Sequence, residues 1–159
     1  MNFDWGLTLA LVGAGISVVV SGIGSSMAIR AAGQKGAGVL AEQPDLFGKI
    51  LLLTALPGSQ GVYGLLIAIL ILAQTGMFAD AMVPLTLSHG VAFVIAGLIM
   101  GVSAISSAAL QGKVVVAAIG GVARNGDISG KLLPLAALIE TYAILGLLIA
   151  IFIANFAVK

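Results

Sequence analysis

The sequence predicts an all-α membrane protein: four transmembrane helices arranged as two tandem-duplicated helical hairpins. Three observations carry this. Of 159 residues, 60% are hydrophobic and only 8% charged, where a soluble domain carries about 25%; the mean hydropathy is +1.21. Four apolar runs are each long enough to cross a hydrocarbon core of about 30 Å. The two halves also match at a shift of 82 residues without a gap.

The apolar runs cover residues 5–30, 50–73, 84–110 and 132–158. The first opens with MNFDWG, which lacks a basic leader region, and it continues past signal-peptide length; it reads as a retained helix. Small and apolar residues extend the first and third runs to about Ala41 and Ala123, so those helices are expected to project beyond the bilayer. Short links at 42–48, 76–83 and 124–130 join the runs.

The repeat is explicit. Gly64-Leu65-Leu66-Ile67-Ala68-Ile69 matches Gly146-Leu147-Leu148-Ile149-Ala150-Ile151, Asp45, Gly48 and Lys49 match Asp127, Gly130 and Lys131, and Ser21 and Ser25 match Ser103 and Ser107. The expected units are 1–78 and 79–159, in the same membrane orientation. Glu140 aligns with Gly58, so only the second unit carries a carboxylate within its spans.

Charge sets the orientation. Arg30, Lys35 and Lys49 flank the first link, Lys113, Arg124 and Lys131 the third, and only Lys159 lies at the other end. The positive-inside rule then makes links 42–48 and 124–130 cytoplasmic, with both termini outside. Trp5, Phe78 and Phe156 fall near the outer boundary, where aromatic anchors are common.

Small residues recur every fourth position: Gly13, Ser17, Ser21 and Ser25 in the first run, Gly97 and Gly101 and then Ala104, Ala108 and Gly112 in the third. Such stripes let helix backbones approach closely in lipid. They serve packing within one bundle, or the first and third helices line the crowded inner layer of a ring of identical chains, with the Leu- and Ile-rich second and fourth outside.

Composition also excludes functions. A net charge of +1 gives nucleic-acid binding no electrostatic basis, and the absence of cysteine removes disulfides and thiolate metal sites. No phosphate loop or nucleophile–base pair is present, so the chain is not expected to be catalytic alone.

What remains is one buried-depth polar constellation. Glu140 sits in the middle of the fourth run, where an ionised group costs roughly 3 kcal/mol on insertion scales. At about 1.5 Å per residue, Glu140 lies about 14 Å past Lys131, Gln60 about 17 Å past Lys49, and Gln111 about 20 Å before Arg124. Three polar groups on three helices thus share one level, with Ser59, Tyr63, Thr141 and Tyr142 nearby. One carboxylate with amide and hydroxyl oxygens is a hard, singly charged donor set. It suits a monovalent cation better than a divalent one, which takes more carboxylates. Sodium is the expected ion, because a proton needs only the carboxyl; the proton is the alternative. Each residue also has a plainer role: Gln60 and Gln111 as hydrogen-bonded helix glue, Tyr63 as packing, Ser59 bonded back to its own helix, Thr141 and Tyr142 as packing. His89, at the outer end of the third run, reads as structural. Pro57-Gly58 interrupts the second run beside Gln60; proline is expected to free the carbonyl of Leu53, and Gly58 to open space for an ion. A cation-coupled secondary transporter and a structural, pore-forming proteolipid are the rival readings. The parallel repeat argues against the first and the buried carboxylate against the second.

Leu56-Pro57-Gly58-Ser59-Gln60-Gly61-Val62-Tyr63-Gly64, Gln111-Gly112-Lys113 and Glu140-Thr141-Tyr142-Ala143-Ile144-Leu145-Gly146 together resemble the proteolipid K (c) subunits of bacterial V/A-type ATPases, most closely the sodium-pumping branch. The resemblance spans essentially the whole chain. It implies a rotor ring of identical subunits in the cell membrane, turning among lipids against a stator subunit that carries a basic residue, with a central-stalk subunit at the cytoplasmic links. It implies Na⁺ ligands at Glu140, Gln60, Gln111, Ser59 and the Leu56 carbonyl, with Tyr63 bonding Glu140. Ser59 stands where relatives often carry Thr and keeps the oxygen; the Leu56 ligand rests on resemblance alone.

Overall fold

A computed structural model describes residues 4–79 and 82–157. Lys159, which bears on the orientation, and Val158, at the end of the fourth run, lie outside the described residues. Five helices follow in order: α1 (Trp5–Glu42), α2 (Phe47–Ala55), α3 (Ser59–Gln74), α4 (Leu87–Arg124) and α5 (Ser129–Phe156). Short 3-10 turns stand at Pro44–Leu46, Leu56–Gly58 and Gly126–Ile128. With α2 and α3 joined through the second of these turns, the described residues form four helical units long and apolar enough to cross a membrane.

Helices α1 and α4 have 38 residues each, or about 57 Å at 1.5 Å per residue, nearly twice the hydrocarbon thickness. Both are thus long enough to project past a bilayer. Both are capped. Asp4 accepts the Leu7 N–H at 2.9 Å. Thr86 and His89 form a reciprocal capping box at the start of α4, with His89 Nδ1 accepting the Thr86 N–H at 3.3 Å; His89 is structural, as expected. Pro84 precedes that helix instead of opening it. The link beyond α3 turns on Gly76, whose φ of 78° suits a residue without a side chain, and the Val83 N–H closes it on the Thr75 carbonyl.

The small-residue stripes are used inside the chain. A Cβ on Gly97 would strike the Gly13 backbone carbonyl, one on Gly13 would strike that of Phe93, and one on Gly112 would meet Ala28. So α1 and α4 lie backbone to backbone, gaining dispersion contacts that lipid cannot supply. Against this pair pack α3 and α5, which present Leu65, Leu66, Ile69, Leu145, Leu148 and Ile149 outward. The repeat carries into the packing: Gly64 abuts Ser21, and its repeat partner Gly146 abuts Ser103, the partner of Ser21.

Candidate functional site

Pro57 shapes the site. Without an N–H it cannot continue the α-helical ladder, and the chain tightens into the 3-10 turn Leu56–Gly58 between α2 and α3. Two sequence expectations are corrected here. The Leu53 carbonyl is not free, because the tighter turn lets the Leu56 N–H reach it. Gly58 does not open space beside Glu140: it faces α1, where an added Cβ would lie 3.5 Å from Ile29.

The turn sets Ser59 and Gln60 at the head of α3. Ser59 Oγ donates to the Leu56 carbonyl at 3.1 Å, bonding back to its own helix, and also lies 3.4 Å from Gln60 Oε1. Gln60 and Gln111 are fully buried. Gln60 Nε2 donates to Gln111 Oε1 at 2.8 Å and to Ser107 Oγ at 3.3 Å. Gln111 Nε2 in turn donates to the Ala136 carbonyl at 3.1 Å. With both amide nitrogens committed, Gln60 Oε1 is the end turned toward Ser59. The amide assignment follows from the network itself.

Glu140 stands in the middle of α5, partly buried, and accepts the Tyr63 hydroxyl at 2.5 Å. Both of Tyr63's expected roles are realised: the ring packs on the core and the hydroxyl bonds Glu140. Among the described residues Glu140 makes no hydrogen bond to either glutamine. The hydrogen bonds thus join Leu56, Ser59, Gln60 and Gln111 in one set and Tyr63 with Glu140 in another. Thr141 and Tyr142 stay apart. Thr141 bonds back to the Leu138 carbonyl at 2.7 Å, and Tyr142 is 69% exposed on the outer face of α5; neither packs within the chain.

Ser107 was missed as a site residue. Buried on α4, it accepts from Gln60 and donates to the Ile139 carbonyl at 3.0 Å, one residue before Glu140. The repeat had paired it with Ser25, and its place one turn before Gln111 on the same helix face was the signal that could have found it. Among the described residues no His, Cys, Asp and Glu cluster that could hold a metal is present. The oxygens gathered here are instead one carboxylate, two amides, three hydroxyls and backbone carbonyls, which suit a weakly held monovalent cation, or a proton on Glu140.

Known proteins resemble this chain across both hairpins. A family model for the C-subunit of ATP synthase matches twice, at residues 12–71 and 94–153, in register with the internal repeat. The A-type ATP synthase subunit K of Methanocaldococcus jannaschii is 43% identical over 145 residues, covering 91% of this chain and 61% of that protein. The V-type sodium ATPase subunit K of Enterococcus hirae is 34% identical over 145 residues, covering 91% of this chain and 89% of that protein. The chain thus spans about three fifths of the first relative and most of the second. With the family pattern present in both hairpins and covering most of the sequence, the chain belongs to the ATP synthase C-subunit family.

Proposed function

We propose that this chain is the ion-carrying rotor subunit of a rotary V/A-type ATPase, and that it carries Na⁺ at Glu140. The supporting observation is the pairing of a mid-helix carboxylate, steered by Tyr63, with a fully buried amide pair at the same level. Gln60, Gln111, Ser59 and the Leu56 carbonyl would complete the oxygen shell, with Ser107 holding Gln60 in place. Gln60 Oε1 supports this assignment: among the described residues its partner is Ser59 at 3.4 Å, which leaves acceptor capacity for a cation. The name of the E. hirae relative points the same way. The proton is the second reading, and the Gln60–Gln111 bond favours it, since amides that satisfy each other also serve as helix glue.

Identical copies form a ring, each built from hairpins 1–78 and 79–159. Links 42–48 and 124–130 face the cytoplasm and the central stalk, both termini face outside, and the ring sits in the cell membrane. A bound cation neutralises Glu140, which then passes through lipid at low cost. Empty Glu140 is an anion, confined to the stator, where a basic side chain from that subunit favours release. Rotation acquires direction when entry and exit paths open to opposite sides.

The test is carbodiimide modification of Glu140 in the purified ring, with and without sodium, across pH. The reagent attacks the protonated carboxyl. Protection by sodium but not potassium, weakening as pH falls, supports the sodium site. Modification that follows pH and ignores sodium makes this a proton carrier. Absence of a ring on native mass spectrometry would overturn the rotor reading itself.

A further inference from the structure

The two hairpins meet head to tail, with α3 of the first against α4 of the second. A head-to-tail contact between repeated units continues from one unit to the next and closes when the rotation allows. Because the hairpins are repeats, the contact between them fixes which residues meet when the second hairpin of one copy adjoins the first hairpin of the next. Shifted by the 82-residue repeat, Gln60 against Gln111 becomes Tyr142 against Ile29 of a second copy. Tyr63 against Glu140 becomes Leu145 against Gly58 of the second copy.

The surfaces of the single chain fit this pairing. Tyr142 and Leu145 are exposed side by side on α5, and Ile29 is exposed on α1. Gly58 already faces Ile29 within its own chain, where an added Cβ would lie 3.5 Å from Cδ1, so the two belong to one slot. The local backbone device is also retained: Thr141 bonds the Leu138 carbonyl as Ser59 bonds that of Leu56, at repeat-equivalent positions. The carboxylate, both amides and the phenol that meets the carboxylate are all replaced. In their places stand Gly58, Tyr142, Ile29 and Leu145.

We propose that Tyr142 and Leu145 form the docking face for Ile29 and Gly58 of a second copy of this chain, and that the Tyr142 ring fills the space left by Gly58. The slot between copies is then plugged and carries no ion, while the slot within each copy carries one. This rests on the ring assembly proposed above. It goes further in naming which side chains meet and in stating what the second slot contains.

The chain has no cysteine, so paired cysteines report contacts without background. Tyr142→Cys with Ile29→Cys, treated with a short thiol-specific bifunctional linker in the assembled ring, is expected to give a ladder of covalent multimers. Ile144→Cys with Ile29→Cys is expected to give none, because Ile144 lies two residues on, on the far side of α5. Leu145→Cys with Gly58→Cys is a second, independent pair expected to ladder if the first disturbs assembly. An intact ring with no ladder from either pair overturns the proposal and places lipid at that seam. A ladder from the Ile144 pair equal to that from Tyr142 overturns it too. Loss of the ring in the unmodified chain would instead be a failure of the rotor reading, read separately by native mass spectrometry.

Discussion

Tyr63→Phe removes one oxygen and little else, and so isolates what the phenol does for Glu140. The hydroxyl donates to Glu140 Oε1 at 2.5 Å, in the arrangement in which the carboxylate faces α3. If Glu140 must swing out to exchange its ion at the stator, this bond exists only in the closed, occupied state, and its loss weakens binding. A hydrogen bond to a charged group contributes about 1.5–3 kcal/mol. Tyr63 and Glu140 are only partly buried, and measured interhelical bonds in membranes average about 0.6 kcal/mol. The lower end therefore governs: at about 1.4 kcal/mol per factor of ten, the sodium concentration that half-protects Glu140 from carbodiimide should rise between threefold and tenfold. The ring should remain intact on a native gel, since the phenyl ring keeps its packing. An unchanged half-protecting concentration would show that the bond persists in both states, or that sodium does not bind here, and the reasoning would fail.

Gly97→Ala forces a Cβ into the Gly13 backbone, which cannot yield as a side chain would; overpacking of this kind costs about 1–3 kcal/mol. The thermal midpoint in detergent should fall, whereas Gly15→Ala, with nothing within 4 Å, should leave it unchanged. Ser107→Ala removes one of the two partners of Gln60 Nε2 and the bond to the Ile139 carbonyl; at about 0.6 kcal/mol each, sodium half-protection should rise several-fold with the ring still assembled, and an unaltered value would make Ser107 mere packing.

Much of this molecule is legible in its sequence because a bilayer allows so few solutions. Continuous apolar runs must become helices, since every backbone polar group has to be satisfied internally, and an ungapped repeat fixes how two hairpins relate. Depth was readable for the same reason: with a constant rise per residue, Gln60, Gln111 and Glu140 could be set level by counting. Rotation about the helix axis was harder. Counting placed Thr141 and Tyr142 at the same level as Glu140, yet successive residues on a helix point about 100° apart, and both turn outward. The Leu53 expectation failed because a proline can be absorbed by a 3-10 turn as well as by an open carbonyl, and sequence does not say which. Pro134 is carried within continuous α5, where its missing N–H leaves the Gly130 carbonyl without its usual i→i−4 donor.

The comparison of the two hairpins suggests why the site differs as a set. A buried amide without its partner costs about 1–3 kcal/mol, so a first hairpin that kept a glutamine at position 29 but met Tyr142 in place of Gln60 would carry that penalty with no ion to offset it. Gly58 alone, without a bulky Tyr142, would leave a void beside Ile29. The replacements at 29, 58, 142 and 145 are therefore mutually dependent, and the hydroxyl–carbonyl turns at Ser59 and Thr141 survive because each is satisfied within its own helix. On the proposed rotor reading, one carboxylate per four helices halves the ions carried per turn relative to one per hairpin. The same work per ATP drives each ion against a steeper gradient, which suits a pump driven by hydrolysis. Reconstituted complexes that made ATP at ordinary ion gradients would count against that direction.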